Sequence, residues 1–425
     1  MGAPIELSGK RVLIVAATTG YQTRVFADAA RALGVEPVLA TDRCGRLDDP
    51  WGDNAIPVKF DRPEHSAAKL DLRVDGVVAV GDRPAYLAAL YAARMGLPFH
   101  PPAAVAAARN KYEARERFRS AGLPVRGYRR LPLDANAEAA AAEFAFPVVL
   151  KPLGLSGSRG VIRADGIAGF VTAWERIRRI LDEPEIRRLH DPADRFVQVE
   201  AFIPGREVAL EGIVRRGALH VVTIFEKPDP LDGPFFEETI YVAPARETAG
   251  ITAAARQAVA ALGFTDGPVH AEMRANEEGV WMLEAAPRPI GGLCAKAVRV
   301  CREGREASLE ELVLRAALGE DPAEWTLVPG ASGVMMIPIP RDGVYAGVRG
   351  EGDAAAVPGI TEVTITAKEG QRMRPLPEGS SYLGFLFARG ESNEAVEQAL
   401  RKAHGRLTFD LRTTLPALHP QRRRV

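Results

Sequence analysis

A lysine followed by a run of small residues is the first stretch of the sequence that could do chemistry. The segment KPLGLSGSRG places Lys151 ahead of Ser156, Gly157 and Ser158. Backbone N–H groups in glycine-rich turns approach anions closely, so the segment predicts a phosphate site. Because the lysine precedes the glycines, this is not the G-x-x-x-x-G-K-[ST] motif. FPVVLK before the loop and GVIRA after it predict a β-hairpin, and a plain Gly/Ser turn at its tip is the alternative.

Two glutamates form the second candidate for chemistry. The segment GPVHAEMRANEEGVWMLEAA predicts a hairpin that turns at Asn276 to Gly279, with Glu272 on one strand and Glu284 on the other. Carboxylates opposed across antiparallel strands repel unless a cation lies between them. Mg²⁺ takes one or two carboxylates and completes its shell with phosphate oxygens and water. Solvent-facing strand residues are the alternative, which the flanking Met273 and Met282 disfavour because they indicate packed strands.

Further acidic residues stand at strand ends. RFVQVEAFIPGREVALEGIV predicts another hairpin, with Glu200 ending its first strand and Glu207 opening its second. The segment 226–241 contains Glu237 and Glu238 beside two phenylalanines, which are costly to leave exposed. That segment therefore predicts a pocket for a cationic amino group, and a rigid surface loop is the alternative.

The elements around these residues indicate an α/β fold. In the N-terminal part, apolar strands such as RVLIVAA and DGVVAV alternate with amphipathic helices, which predicts a Rossmann-like parallel sheet covered on both faces. The first turn, AATTGYQ, lacks G-x-G-x-x-G, so a dinucleotide site is not supported. Another polar ligand could lie at the carboxyl ends of the strands, near Thr18, Thr19, Gly81 and Asp82.

The rest of the chain mixes strands and helices. Residues 103–122 predict one helix, closed by Gly122. From there to about residue 290 strands and turns dominate, and PAEWTLVPGASG predicts a linker to a last α+β part. Cys294 and Cys301, seven residues apart, predict buried small residues on one face of a helix.

Composition excludes several classes of function. The 425 residues are 47% hydrophobic, and 55 basic residues balance 55 acidic ones, so no global charge favours nucleic acid or an anionic membrane. No apolar run approaches a membrane span, and the first residues lack the apolar centre of a signal peptide. We therefore expect a cytoplasmic protein, and leave a homodimer open.

The ordered set of motifs resembles the ATP-grasp superfamily, and most of all its L-amino-acid ligases. The resemblance rests on Lys111 in a helix, FPVVLKP with its Gly/Ser loop, VEAFIPGREV, HAEMR and LEAAPRPIGG, in that order. EKPDPLDGPFFEETIYVAPA, GVMMIPIPRDGV and PEGSSYLGFLFARG are similar to the ligases' substrate segments and end domain. The resemblance implies a Rossmann-like domain at 1–105, an ATP-grasp domain of two α+β subdomains at 106–325, and a small α+β C-terminal domain at 326–425.

The resemblance also implies roles for individual residues. Lys111, Lys151 and the loop residues Ser156, Gly157 and Ser158 would bind the phosphates of ATP. Glu200, Ala201 and Phe202 would contact the adenine edge, and Glu207 would bind the ribose hydroxyls. Glu272 and Glu284 would bind Mg²⁺, with Mn²⁺ as an alternative ion. Arg288 would act in catalysis with Lys151, facing the transferred phosphoryl group or the substrate carboxylate. Many relatives have Asn where this chain has Ala286, so the number of metal ions stays open.

The function implied is ligation of a carboxylate to an amine. ATP would convert the carboxylate to an acylphosphate, the amine would displace phosphate, and amino acids are the expected small-molecule substrates. Positioned charges suffice for phosphoryl transfer, so no protein nucleophile is required. A carboxylase-type enzyme that activates bicarbonate and an ATP-binding protein without turnover are the alternatives.

Overall fold

The computed structural model describes residues 6–17, 22–42, 55–246 and 249–413. Thr18 and Thr19, which were named above as near a possible polar ligand, lie outside these ranges. Among the described residues, no helix combines the length and the apolar character needed to cross a membrane. The fold class is mixed α/β, as predicted.

The N-terminal alternation of strands and helices builds a four-stranded parallel sheet in the order β3-β2-β1-β4. Its elements are β1 (Arg11–Ala16), α1 (Gln22–Ala32), β2 (Glu36–Thr41), β3 (Ile56–Pro57), α2 (Pro63–Lys69), β4 (Gly76–Val80), α3 (Asp82–Met95) and α4 (Pro102–Arg109). The central strands are continuous apolar runs because both of their faces are buried. Gly81 links the carboxyl end of β4 directly to α3, which places the first turn of that helix at the sheet edge.

The single helix predicted over 103–122 is wrong, because the chain breaks it at Asn110. Asn110 is extended, and its side chain accepts hydrogen bonds from the backbone N–H groups of Tyr112 at 3.1 Å and Glu113 at 3.3 Å. This N-cap starts a new helix, α5 (Lys111–Ser120), since asparagine satisfies the free N–H groups of a first turn. Lys111 is therefore the first residue of a helix.

A four-stranded antiparallel sheet follows, in the order β5-β8-β6-β7. Its elements are β5 (Tyr128–Pro132), α6 (Ala137–Ala141), β6 (Val148–Pro152), β7 (Ile162–Ala164), α7 (Ile167–Leu181), α8 (Pro184–Arg187) and β8 (Phe196–Ala201). Helix α7 buries Phe170, Trp174 and Ile177 in the core of this unit. Strands β6 and β7 pair directly, so the Gly/Ser loop lies at a hairpin tip, as predicted.

An eight-stranded antiparallel sheet forms the centre of the molecule, in the order β13-β12-β9-β10-β11-β17-β21-β19. Its first part comprises β9 (Arg206–Arg215), β10 (Ala218–Glu226), β11 (Ile240–Ala243), α9 (Ala249–Leu262), β12 (Gly267–Asn276) and β13 (Gly279–Ala286). The hairpin predicted around Pro204 and Gly205 is wrong: β8 pairs with β5 and β6, whereas β9 pairs with β10 and β12. The turn instead connects two sheets.

The remaining elements include three strands that extend the eight-stranded sheet. They are β14 (Arg299–Arg302), β15 (Arg305–Ser308), α10 (Leu309–Ala317), β16 (Thr326–Leu327), β17 (Ala331–Ile337), β18 (Gly343–Arg349), α11 (Glu351–Ala355), β19 (Ile360–Ile365), β20 (Arg372–Met373), β21 (Gly384–Gly390), α12 (Asn393–His404) and β22 (Thr408–Arg412). Because β17 pairs with β11, the last part of the chain continues the central sheet. The domain boundaries at 105 and 325 stay a prediction.

Two smaller expectations about this part are wrong. Cys294 lies in a 3-10 turn (Cys294–Ala297) and Cys301 in β14, so they do not share a helix. The predicted linker contains β16, which pairs with β14. In both cases the β14–β15 hairpin recruits residues that local propensity left undecided, since strand pairing depends on distant partners.

Candidate active site

A cavity of about 590 Å³ lies where the three parts of the chain meet, a volume typical of a small-molecule site. Its wall contains every residue to which the resemblance assigns a role: Lys111, Lys151, Ser156, Gly157, Ser158, Glu200, Ala201, Phe202, Glu207, Glu272, Glu284 and Arg288. The structure thus brings the predicted residues together, while their individual roles stay predictions.

One end of the cavity is cationic. Lys151 projects from β6, and Lys111 opens α5, where its Nζ donates to the Leu155 carbonyl oxygen at 2.5 Å. The Gly/Ser loop that follows Lys151 turns through positive φ at Gly157, Ser158 and Gly160, at 62°, 53° and 72°. These left-handed conformations leave backbone N–H groups free of strand pairing, as an anion site requires.

Glu200 holds the cationic end in place. One carboxylate oxygen accepts from Lys151, and the other accepts from Arg115 Nη2 at 3.0 Å and Gln198 Nε2 at 2.8 Å. Burial alone would raise the pKa of Glu200, but the charges of Lys151 and then Arg115 lower it to about 2. Arg115 and Gln198 were not predicted as site residues, because they come from the middle of α5 and from the interior of β8. Whether Glu200 also reads an adenine edge stays a prediction.

The predicted face of β12 points into the cavity. Val269, Ala271 and Met273 pack into a core with α9, while His270, Glu272 and Arg274 line the cavity. The register pairs Glu272 directly with Glu284 on β13, with a bulge just after Glu272. The opposed carboxylates that the sequence predicts are therefore present.

The partner strand β9 supplies matching charges across the register. Arg274 lies opposite Glu207 and donates to it through Nε at 2.9 Å. His270 lies opposite Glu211 and hydrogen-bonds it through Nδ1. Burial would lower the pKa of His270, but the charge of Glu211 and the bonds to the two glutamates raise it to about 10. These cross-strand pairs fix the side chains that flank Glu272.

A buried lysine that the sequence analysis missed organises the other end of the cavity. Lys227 follows β10, and its Nζ lies 2.8 Å from Glu207 Oε1 and 2.9 Å from Glu272 Oε1 and also donates to Glu238. The three carboxylates offer oxygens within 4.8 Å of one another. Burial opposes the charge of Lys227, yet the three glutamates raise its pKa well above the ordinary lysine value. The one feature of the sequence that could have indicated this lysine is its position directly after the apolar strand ALHVVTIFE.

Arg288 is also held by a partner that the sequence analysis did not pair with it. Its Nε lies 2.7 Å and its Nη2 3.3 Å from the two carboxylate oxygens of Asp82, in the first turn of α3. Such a bidentate contact fixes the guanidinium plane. Burial would lower the pKa of Arg288, and the charge of Asp82 raises it above the ordinary value. The N-terminal part of the chain thereby orients a residue of the middle part.

The segment 226–241 and the C-terminal part complete the wall. Phe236 and Glu238 line the cavity, and the Tyr241 hydroxyl donates to Glu238 Oε2 at 2.7 Å. Met336 and Tyr382 add apolar surface from the C-terminal part. These contacts favour the pocket interpretation of the segment over a surface loop.

The opposed glutamates fit a divalent cation. Glu284 exposes 26% of its side chain, and Lys111 Nζ lies 3.8 Å from its Oε2. Its oxygens therefore remain accessible from the cavity beside the cationic loop, where phosphate oxygens and water could complete a Mg²⁺ shell. Ala286 is 2% exposed and pairs with His270 across the hairpin. Because its side chain is a methyl group, Ala286 supplies no metal ligand.

The chain is similar to several known proteins. Residues 144–297 match the ATP-grasp domain, and residues 335–412 match the L-amino acid ligase C-terminal domain 2. An uncharacterized protein of Sinorhizobium fredii is 23% identical over 93% of this chain and 82% of its own length. A D-alanine–D-alanine ligase of Aromatoleum aromaticum is 31% identical over 37% of this chain and 47% of its own length. The crystal structure of an L-amino acid ligase from Bacillus licheniformis superposes with a TM-score of 0.78 at 23% identity, covering 95% of this chain and 99% of that one. The predicted ATP-grasp resemblance is confirmed.

Proposed function

We propose that this chain, which contains an ATP-grasp domain and an L-amino acid ligase C-terminal domain 2, joins a carboxylate to an amine through an acylphosphate. The products are an amide, ADP and phosphate, and the substrates are amino acids. The relatives named as D-alanine–D-alanine ligase and L-amino acid ligase support this choice of substrate class.

One observation carries the proposal: a single cavity has a cationic end and an anionic end. Lys111, Lys151 and the Gly/Ser loop form the first, and the glutamates around Lys227 form the second. A triphosphate fits the cationic end, and an ammonium group fits the anionic end. Arg288 and Glu284 also line this cavity, where a carboxylate would meet the transferred phosphoryl group.

The chemistry proceeds in two balanced steps. A carboxylate oxygen attacks the γ-phosphorus of ATP, the bond to the β–γ bridging oxygen breaks, and ADP leaves. The amine nitrogen then attacks the acyl carbon, the carbon–oxygen bond breaks, phosphate leaves with one carboxylate oxygen, and the amine loses a proton. Lys111, Lys151 and the loop N–H groups stabilise the developing phosphate charge. Mg²⁺ held by Glu272 and Glu284 would supply further neutralisation of the phosphates.

The same loop would protect the acylphosphate from water. Gly160 N donates to the Pro377 carbonyl oxygen at 2.9 Å, and Ser380 lies against Gly157, so a C-terminal segment covers the loop. A covered loop excludes water that would otherwise hydrolyse an activated acyl group.

Glu238 is the residue we assign to the amino group of a substrate. It lines the cavity beside Met336 and Tyr382, which suit an apolar side chain. Lys227 and Tyr241 both donate to Glu238 and hold its carboxylate in position. An α-amino acid presents the ammonium and apolar groups that this wall complements.

The test is a phosphate-release screen over pairs of amino acids and amines, with mass detection of the products. We expect ADP, phosphate and a condensed product in equal amounts, and release that depends on both substrates. Phosphate release that needs bicarbonate and no amine would replace this proposal with carboxylation. No release with any pair, despite nucleotide binding, would indicate an ATP-binding protein without turnover.

A further inference from the structure

The C-terminal part of the chain contacts the sheet that carries the Gly/Ser loop. That loop belongs to the four-stranded sheet, whereas Glu272 and Glu284 lie on the separate eight-stranded sheet. Residues of both sheets line the cavity, so the position of the loop decides how open the cavity is. Residues 374–380, which we call the latch segment, connect β20 to β21 and contact the loop.

Two groups of ion pairs join the latch segment to the sheet of the loop. Glu183, between α7 and α8, accepts from Arg159 of the loop at 2.7 Å and from Arg374 of the latch segment at 3.0 and 3.2 Å. Arg176 of α7 donates through Nε and Nη2 to the two carboxylate oxygens of Glu378, the second at 2.9 Å. One carboxylate therefore joins the loop to the latch segment, and the other contact is bidentate, which fixes its geometry.

The latch segment also contacts the loop through its backbone. The Gly160 N–H donates to the Pro377 carbonyl oxygen at 2.9 Å. Ser380 Cβ lies 3.4 Å from the place that a Cβ on Gly157 would occupy, so the two backbones lie close together. Met373, just before the latch segment, is fully buried in the core of the C-terminal part. A segment anchored in one core therefore holds a loop of another sheet.

Arg176 also links the latch segment with the segment 226–241. Its guanidinium carbon lies 4.8 Å from the ring centroid of Phe235, and Phe235 forms a β-bridge with Ile162, next to the loop. Phe235 stands three residues before Glu238, which we assign to the substrate amino group. Because Arg176 contacts both Phe235 and the latch segment, the wall that binds substrate and the loop that binds phosphate share one side chain.

The exposure of these ion pairs suits a contact that opens and closes. Arg176 and Glu378 expose 32% and 26% of their side chains, and Arg374 and Glu183 expose 32% and 21%. Ion pairs that water reaches are weak, and each shifts an equilibrium by about fivefold or less. Two of them together can hold a loop closed and still let it open for nucleotide exchange.

We propose that the latch segment keeps the Gly/Ser loop closed over the acylphosphate, with Arg176 and Glu183 as the positioning residues that receive it. The inference rests on the proposed function and adds what couples its two steps. An open loop would admit water, whose oxygen would add to the acyl carbon. The bond from that carbon to the phosphate oxygen would break, and the carboxylate, phosphate and one proton would be released. ATP would then be consumed without formation of an amide.

The experiment removes both ion-pair contacts by combining Arg374→Gln with Glu378→Gln. Hydrogen exchange of loop peptides that include Gly160 should accelerate about 5- to 25-fold, since two pairs of up to about fivefold each are lost. With both substrates present, wild type should release equal amounts of phosphate and amide. The double variant should release about two or more phosphates per amide, because water competes with the amine.

An exchange of charges tests the pairing itself. Arg176→Glu alone and Glu378→Arg alone each bring like charges together, so each should accelerate exchange in the loop. The two substitutions combined restore an ion pair and should slow exchange again. A side chain that only fills space would show no such rescue.

A matched control combines Arg372→Gln with Asp342→Asn, which removes a pair at 3.1 Å within the C-terminal part. It should change neither loop exchange nor the ratio of phosphate to amide. Exchange in α9 checks that each variant stays folded.

The inference is overturned if the loop exchanges equally in wild type and in the Arg374→Gln, Glu378→Gln variant, or if exchange accelerates while phosphate and amide stay equal. If that variant also loses protection in α9, the exchange of charges decides, and absence of rescue overturns the inference. A wild type that forms no amide with any pair of substrates contradicts the proposed function, whereas loop exchange still tests the latch segment.

Discussion

Two lysines near the same cavity have opposite surroundings. Lys151 exposes 11% of its side chain and shares one carboxylate, that of Glu200, with Arg115. Lys227 exposes 2% of its side chain and is surrounded by three carboxylates. Two cations share one carboxylate at the first lysine, whereas three carboxylates contact the second, and Arg274 and His270 also pair with two of these three. The first lysine therefore suits phosphate binding, and the second holds the glutamates together. The difference shows that the residues around a lysine, and not the presence of a lysine alone, decide its role.

Removing the lysine of the acidic end should cost the most stability. Lys227→Met keeps the length of the side chain but leaves one buried and two partly buried carboxylates without their shared cation, so the free energy of unfolding should fall by about 3–5 kcal/mol. Chemical denaturation at neutral pH measures this. Lys296→Met is the control, since Lys296 pairs with Glu362 at a half-exposed site and should cost about 1 kcal/mol or less. Equal losses of unfolding free energy in the two variants would show that Lys227 stabilises the fold no more than a half-exposed lysine does.

Removing the lysine of the cationic end should affect activity much more than stability. Lys151→Ala should reduce turnover at least about 10²-fold, because it removes a positioned charge from the phosphates. Glu200 keeps Arg115 and Gln198, so unfolding should change much less than in Lys227→Met. ADP formation and denaturation curves measure the two effects. Near-normal ADP formation by Lys151→Ala would rule out phosphate binding by Lys151 and the Gly/Ser loop.

The carboxylate between Lys151 and Arg115 gives a pH signature. Because its folded pKa of about 2 lies below the unfolded value, its stabilisation is present above pH 4.5 and is lost as pH falls toward 2. Between pH 7 and pH 3 the loss should be about 2 kcal/mol for wild type. Glu200→Gln should lack this component, so its stability should fall less over the same interval. Parallel pH dependences of unfolding in the two proteins would contradict the buried ion pair.

The smallest effect expected concerns the metal. Glu284→Gln keeps the size and loses the charge of an accessible carboxylate, so half-maximal activity should need about tenfold more Mg²⁺, equivalent to about 1.4 kcal/mol. Glu277→Gln, on the exposed turn of the same hairpin, is the control and should change nothing. An unchanged Mg²⁺ requirement in Glu284→Gln would show that Glu284 does not bind the metal.

Local features of the sequence predicted the cationic end of the cavity and the opposed glutamates, but not the cluster around Lys227. The loop after Lys151 and the pair Glu272–Glu284 follow from strand alternation and short turns, which neighbouring residues determine. The cluster around Lys227 joins residues from four separate places in the chain, so no spacing in the sequence could predict it. Likewise, the pair Asp82–Arg288 spans 206 positions.

Other failures came from the competition between local propensity and distant pairing. Residues 103–122 have helical propensity throughout, but the side chain of Asn110 caps a second helix. The turn at Pro204–Gly205 was predicted correctly, while the partners of its strands depended on sheets assembled elsewhere. Ala286 lies buried opposite His270, and the number of metal ions stays a prediction.

The most direct test of the central claim follows an oxygen atom. A first amino acid labelled with ¹⁸O in its carboxylate is turned over with ATP and an amine, and the released phosphate is analysed by mass spectrometry. An acylphosphate transfers one carboxylate oxygen to phosphate, so each phosphate should carry one ¹⁸O. Unlabelled phosphate released alongside product would contradict an acylphosphate, and with it the mechanism proposed for this cavity.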